Sequence, residues 1–216
     1  MSLHGYMIRV IRMPRQYPVQ LEIAGPAAMF TRPDTGGAFA SYPGPTYSAV
    51  KGIFESIARL KSAYIRPTKV EICRPVQFHR YATNYRGPLR KGNQLQKDAS
   101  YQLVAVILID VCYRLYGTVE EAGPCPVSTN HLHALQEMFE RRARNGQAFA
   151  TPCLGWKEFT PSYFGPFREG TQVERSINIE IPSMLHSVFD RPIAGSWQPK
   201  FAQQLRIEEG VLQYAE

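Results

Sequence analysis

The sequence predicts an α+β fold: an antiparallel sheet with two helices on one face, the ferredoxin-like arrangement, followed by a small C-terminal β extension. Three observations lead there. Two segments repeat apolar residues at helical spacing, one around residues 50–60 and one around 132–139. Strand-like segments precede, separate and follow them. Between them, residues 103–108 are apolar without a break, as expected of a central strand covered on most of its surface.

The elements follow in order. Val19, Leu21 and Ile23 alternate with Gln20 and Glu22, which predicts a half-buried strand ending at Gly25-Pro26. After the turn-rich "TRPDTGGAFASYPGPT", Thr46 or Ser48 caps a helix whose Val50, Ile53, Phe54, Ile57 and Leu60 share a face. Val70 and Ile72 mark a strand in "TKVEICRPVQFHRY", interrupted by Pro75. "ATNYRGPLRKGNQLQKDAS" carries Arg86, Arg90, Lys91 and Lys97 among glycines and a proline, and reads as a basic hairpin or loop. The run "YQLVAVILIDVCYRLYG" supplies the central strand. Ser128, Thr129 or Asn130 caps a second helix with Leu132, Leu135, Met138 and Phe139 on its buried side, and Gly146 ends it. A strand is expected around 147–159, completing strand–helix–strand–strand–helix–strand. Ile177, Ile179 and Ile181 predict one more strand, and Glu209-Gly210 a hairpin turn. The expected division is a core over residues 1–165 and a β extension over 166–216.

With 216 residues and 44% hydrophobic content, the chain suits a single domain with a small appendage. A formal charge of +7 favours a polyanionic partner, because a basic surface concentrates phosphates. Four dispersed cysteines, Cys73, Cys112, Cys125 and Cys153, lack the density of a disulfide scaffold and point to a reducing cytoplasm. No apolar stretch reaches the ~18 residues needed to cross a bilayer, so no membrane partner is expected.

The second helix rewards angular reasoning. His131, Leu135, Met138 and Arg142 fall within about 60° of one another, with His131 near the N-terminus, where free N–H groups attract phosphate. His133, Glu137, Glu140 and Arg144 form a separate polar stripe. Arg141 and Arg142 oppose the negative end of the helix dipole, yet two arginines followed by Arg144 also suit bidentate pairing with a nucleic-acid backbone. Most of Trp156, Phe159, Tyr163, Phe164 and Phe167 are expected in the core, with one or two left as stacking platforms for unpaired bases. Tyr42 and Tyr47 flank "PGPT", where a tyrosine can bond phosphate or manage a proton.

The blocks "FTRPDTGGAFASYPGPTYSAVKGIFESI" and "FERRARNGQAFATPCLGWKEF" together resemble the Dvulg-subtype (subtype I-C) CRISPR-associated RAMP family. The family's Ala-x-Phe-Thr-Arg-Pro start stands here as Ala28 to Pro33, including Arg32. Its Ser-Tyr stands as Ser41-Tyr42, and its Phe-x-Arg-Arg block begins at Phe139. The resemblance implies an RRM-like RNA-binding core that needs no cofactor. It implies cleavage of precursor CRISPR RNA within the repeat hairpin by attack of a ribose 2′-OH, leaving a 2′,3′-cyclic phosphate. It further implies retention on the crRNA 5′ handle beside the other subunits of the type I-C surveillance complex. Tyr42 corresponds to the family's tyrosine. The Lys-His pair of some members falls on Ala134 and Leu135, with His131 and His133 as the nearest imidazoles. Three readings follow: a histidine serves from a shifted register, another residue set cuts, or the chain is a non-catalytic handle-binding subunit. Arg32, Lys51, Arg86, Arg90, Lys91, Arg141, Arg142 and Arg144 are the expected RNA contacts. Lys51 stands for an arginine of the family and lacks its bidentate fork.

Overall fold

The computed structural model describes residues 16–85, 91–123, 130–188 and 196–214. It is a mixed α/β fold with a curled, almost wholly antiparallel sheet and few helices.

The centre is β5 (Tyr101–Glu121), whose length lets it hold several partners. On one edge β1 (Pro18–Ala28) pairs with it antiparallel, Pro18 against Thr118 through Ala28 against Leu108. The other edge is shared. β4 (Gln77–Tyr85) pairs with the first half of β5, and β3 (Ala63–Ile72) with the second. Asp110, with φ 49°, lies where β4 gives way to β3. The short β2 (Phe39–Ala40) adds a parallel pairing to β5. β6 (Tyr163–Gly165) lies outside β1. β7 (Ile179–Ser187), β8 (Lys200–Glu208) and β9 (Val211–Gln213) continue the sheet beyond β3, in the order β6-β1-β5-β3-β9-β8-β7.

Two helices cover one face. In α1 (Tyr47–Ile57), Val50, Ile53, Phe54 and Ile57 point inward at the spacing read from the sequence, and Thr46 caps it by accepting from the Ala49 N–H at 3.2 Å. Leu60 falls beyond its end. The helix α3 (His131–Arg144) buries Leu135, Phe139 and Ala143; Asn130 caps it through the His133 N–H. Gly146, with φ 62°, closes its C-terminus, a backbone state that costs glycine little. Phe54 and Phe139 meet edge to face at 5.5 Å over Leu21, Ile23, Val70 and Leu115, all fully buried. Truncating either phenylalanine to alanine removes about 3–5 kcal/mol of such packing. A single-turn helix, α2 (Gly92–Gln96), precedes β5.

The other face of the sheet carries a charged row. Glu22 and Glu71 flank Arg114 across three strands, and residues 166–175 fold over them. Glu22 is fully buried and takes bonds from Arg168 Nε at 2.5 Å and Thr171 Oγ1 at 2.8 Å. Burial raises its pKa, but the Arg168 backbone N–H, its guanidinium and Thr171 outweigh that and hold the carboxyl below its ordinary value.

Three expectations are corrected. β1 does not stop at Gly25-Pro26: Pro26 lies between the paired residues Gly25 and Ala27, at the irregular point beside Asp110, where no ladder N–H is needed. Residues 147–159 form no strand. Their backbone bonds go to the end of α1 (Ala150 N–H to Ser56, 2.8 Å) and to β1's exit (Leu154 carbonyl to Met29, 2.9 Å), and the last strand of the expected series is the later β6. Only a hairpin at Glu209-Gly210 was expected, and it is present with φ 47° and 77° joining β8 to β9, but β8 also pairs along its length with β7. The basic segment 82–100 does join two antiparallel strands, β4 and β5, although residues 86–90 lie outside the described residues.

Candidate functional site

Sequence blocks far apart in the chain meet at the N-terminus of α1. The segment after β1, the first turns of α1 and residues 151–157 enclose a cleft of about 480 Å³. Its far wall is fixed by a glycine. Gly155 has φ 92°, and a Cβ there would run into the Met29 carbonyl, so no other residue lets the loop close on β1. Trp156 donates from Nε1 to Thr31 Oγ1 at 2.9 Å, lies parallel to Phe159 and meets Phe39 edge on. Gly52 lines the α1 wall, where a Cβ would meet nothing within 4 Å. Exposed Lys157 and the half-buried Cys153 also line the cleft.

Tyr42 lies beneath this cleft and is only 3% exposed. Its backbone N–H reaches the Phe30 carbonyl at 2.8 Å, and its hydroxyl accepts the Leu185 N–H of β7 at 3.1 Å. Burial pushes the phenol above its ordinary pKa, so it keeps its proton at neutral pH. The Arg32 guanidinium stands 5.8 Å from the Tyr42 ring and is held by both carboxylate oxygens of Asp34.

The histidines lie elsewhere. His133 packs 6.1 Å from the Tyr17 ring and pairs with Glu137 at 3.2 Å, its side chain remaining 42% exposed. Asn130 Nδ2 donates to Tyr17 Oη, tying the start of α3 to the chain entering β1. His131 Nε2 and His133 Nδ1 are buried without a hydrogen-bond partner among the described residues.

Tyr17 and Phe30 mark the two ends of β1. Ten steps of strand at ~3.3 Å separate Pro18 from Ala28, so Tyr42 and the histidines are on the order of 30 Å apart. The structure does not bring the three expected catalytic residues together.

The cations divide as well. Arg142 donates from Nη1 to the Ile57 carbonyl at 2.8 Å, satisfying the C-terminus of α1. Arg141 and Arg144 are exposed on the last turn of α3, where Arg144 Nε leans on the Glu140 carbonyl. Lys51 sits 5.1 Å over the Tyr64 ring. Lys91 caps α2 and is exposed. Arg86 and Arg90 lie outside the described residues.

Sequence reading missed His186. It stacks on Tyr47 at 4.0 Å, beside the Leu185 N–H that Tyr42 accepts. Nothing local signals this, since 143 residues separate Tyr42 from Leu185. Among the described residues, no three His, Cys, Asp or Glu side chains gather in a metal-binding group, and no helix is long and apolar enough to cross a membrane.

Known proteins share this fold. A functionally uncharacterized protein from Streptococcus mutans superposes with a TM-score of 0.68 at 18% identity, covering 92% of each chain. A CRISPR-associated protein superposes at 0.66 and 18%, covering 94% of this chain and 95% of its own. In sequence, the CRISPR pre-crRNA endoribonuclease Cas5d of Thermus thermophilus is 30% identical over 90% of both chains. Its namesake from Mannheimia succiniciproducens is 28% identical over 79% of this chain and 84% of the relative. Residues 19–190, which hold β1, both long helices and the cleft, match the family described as CRISPR-associated protein (Cas_Cas5), and the chain belongs to that family.

Proposed function

We propose that this chain is a metal-independent endoribonuclease that cleaves precursor CRISPR RNA within its repeat hairpin. It then stays on the crRNA 5′ handle in the type I-C surveillance complex, in the cytoplasm. The observation that carries the reading is the 30% identity, across 90% of both chains, to a protein named as a pre-crRNA endoribonuclease. The strand order β6-β1-β5-β3, with α1 after β1 and α3 after β5, supports a ferredoxin-like core over residues 1–165. The residues from 166 onward are its β extension.

The reaction sets three tasks. A base takes the proton of the 2′-OH, donors hold the crowded phosphate, and an acid protonates the departing 5′ oxygen. His131 and His133 fit the proton work. One ring nitrogen of each is buried without a hydrogen-bond partner among the described residues, and both stand in the first turn of α3. Tyr42, at the other end of β1, keeps its proton and its hydroxyl already accepts the Leu185 N–H, so it serves the scaffold rather than the phosphate that the histidines would reach. Arg141 and Arg144, exposed on α3, and Lys91 before β5 are the cations best placed to meet the backbone. Lys51 stands on α1 and Arg32 on the segment before it, while Arg86 and Arg90 belong to the basic sequence outside the described residues.

A non-catalytic handle-binding subunit is the second reading. What favours it is the engaged, buried Tyr42, together with Ala134 and Leu135 where some members carry Lys-His.

Single-turnover cleavage of the cognate repeat RNA in EDTA tests both. We expect cutting by the wild type, none of a substrate with a 2′-deoxy sugar at the cut site, and a loss of roughly a hundredfold in His131→Ala with binding retained. His133→Ala should lose less. Normal cleavage by the double variant removes imidazole from the mechanism, and failure of the wild type to cut any repeat from its own locus leaves the binding subunit.

A further inference from the structure

Two thiols that the proposed reaction does not use face each other across the sheet. Ile72 pairs with Tyr113, so the next residue of the chain, Cys73, falls opposite Cys112, and its N–H donates to the Cys112 carbonyl at 2.8 Å. Directly opposed residues of antiparallel strands have Cα atoms about 4.5–5.5 Å apart and side chains on the same face. A disulfide spans Cα separations of about 4.4–6.8 Å. On the third strand of the same row stands Ala24, opposite Cys112, whose methyl group leaves room for the sulfurs.

The surroundings are those of a reactive pair rather than of two apolar fillers. Cys112 Sγ receives Arg168 Nη2 at 3.7 Å and points its own proton toward Glu22 Oε1 at 3.9 Å. Cys73 Sγ also lies 3.7 Å from the Glu71 carbonyl oxygen. Cys73 and Cys112 are 9% and 4% exposed, while the Arg168 side chain that reaches Cys112 is 47% exposed.

We propose that Cys73 and Cys112 are a redox modification site that closes to a cross-strand disulfide under peroxide and reopens with dithiol. In the first step the Cys112 sulfur attacks one peroxide oxygen, breaking the O–O bond; a sulfenic acid forms and the other oxygen leaves as water. In the second, the Cys73 sulfur displaces the sulfenic oxygen as a second water and forms the S–S bond. Two thiols and one peroxide give one disulfide and two waters, with the two electrons passing from sulfur to oxygen. Hydrogen bonding from the Cys73 thiol, ahead of the Arg168 charge, draws the Cys112 pKa down. That bond and burial push Cys73 up, which suits Cys112 as the attacking group.

The experiment uses the reduced full-length wild type, folded and treated with hydrogen peroxide. It is quenched with N-ethylmaleimide in denaturant, digested without reductant and read by mass spectrometry. We expect a linked peptide pair containing Cys73 and Cys112 in most chains, abolished by dithiothreitol. In Cys73→Ser, we expect a dimedone-trapped sulfenic acid at Cys112 in place of the link. Full N-ethylmaleimide labelling of both thiols after peroxide, whether or not Cys153 has reacted, overturns the proposal. So does a bridge that joins either one to Cys125 or Cys153.

Discussion

Tyr42→Phe separates scaffolding from chemistry at one atom. The substitution keeps the ring beneath the α1 cleft and removes the hydroxyl that accepts the Leu185 N–H at 3.1 Å. With Tyr42 3% exposed and Leu185 partly buried, water replaces that acceptor poorly. An unsatisfied buried donor costs about 1–3 kcal/mol. At about 2–4 °C per kcal/mol for a chain of this length, the melting temperature should fall by about 2–12 °C. The contact ties β7 to the turn before α1, so loss of affinity for repeat RNA is expected to stay within about tenfold, the change that ~1.4 kcal/mol produces. Below the new melting temperature, single-turnover cleavage at saturating enzyme should stay within tenfold of the wild type. Thermal unfolding by circular dichroism and a cleavage time course on the same preparation make the measurement. An unchanged melting temperature with cleavage down a hundredfold would refute the reasoning and return the proton work to Tyr42.

Three further outcomes are expected. Gly155→Ala should yield little folded protein, since its Cβ meets the Met29 carbonyl at φ 92°; a wild-type melting temperature for that variant would contradict the loop closure described. Glu22 has a folded pKa below its ordinary value near 4.5, so its contribution is complete above that pH and is lost as pH falls through the folded value. Urea midpoints should therefore drop more steeply below about pH 4.5 in the wild type than in Glu22→Gln, and parallel curves would count against the buried ion pair. Replacing Arg90 and Lys91 by alanine should flatten the salt dependence of repeat-RNA binding by about 0.7 per lost phosphate contact, whereas an unchanged slope would place that segment away from the RNA.

Local chemistry made much of the fold legible. The helical faces of α1 and α3, the Asn130 and Gly146 ends of the second, the unbroken apolar run inside β5 and the Glu209-Gly210 turn are each written within a few adjacent residues. Residues 147–159 were misread because their partners are not local. The apolar and aromatic residues there suggest a strand, but the backbone groups are taken by the end of α1 and by Met29, and Gly155 adopts a conformation that no strand uses. The half of β8 next to its turn alternates Leu205 and Ile207 with Arg206 and Glu208, but residues 200–204 carry no such pattern, so the pairing with β7 was not legible.

The site was legible in its parts and not in its assembly. Angular reasoning on α3 correctly separated the Leu135 side from the polar one, and it placed His133 one turn from Glu137, where the two pair. What it could not supply was the direction of β1. A helix wheel fixes which residues share a face, while the distance from that face to a tyrosine elsewhere in the chain depends on which end of a strand each one joins. Asn130 ties the start of α3 to Tyr17, before β1, and Phe30, after β1, holds Tyr42. One extended strand thus puts the tyrosine and the histidines beyond the reach of a single phosphate. Arg142 teaches the same point. Its neighbours Arg141 and Arg144 face solvent as a backbone-binding cation would, yet one residue's rotation turns Arg142 onto the Ile57 carbonyl and makes it a clasp between the two helices. A run of basic residues announces a charged surface, but only the packed structure decides which of them remain available to RNA.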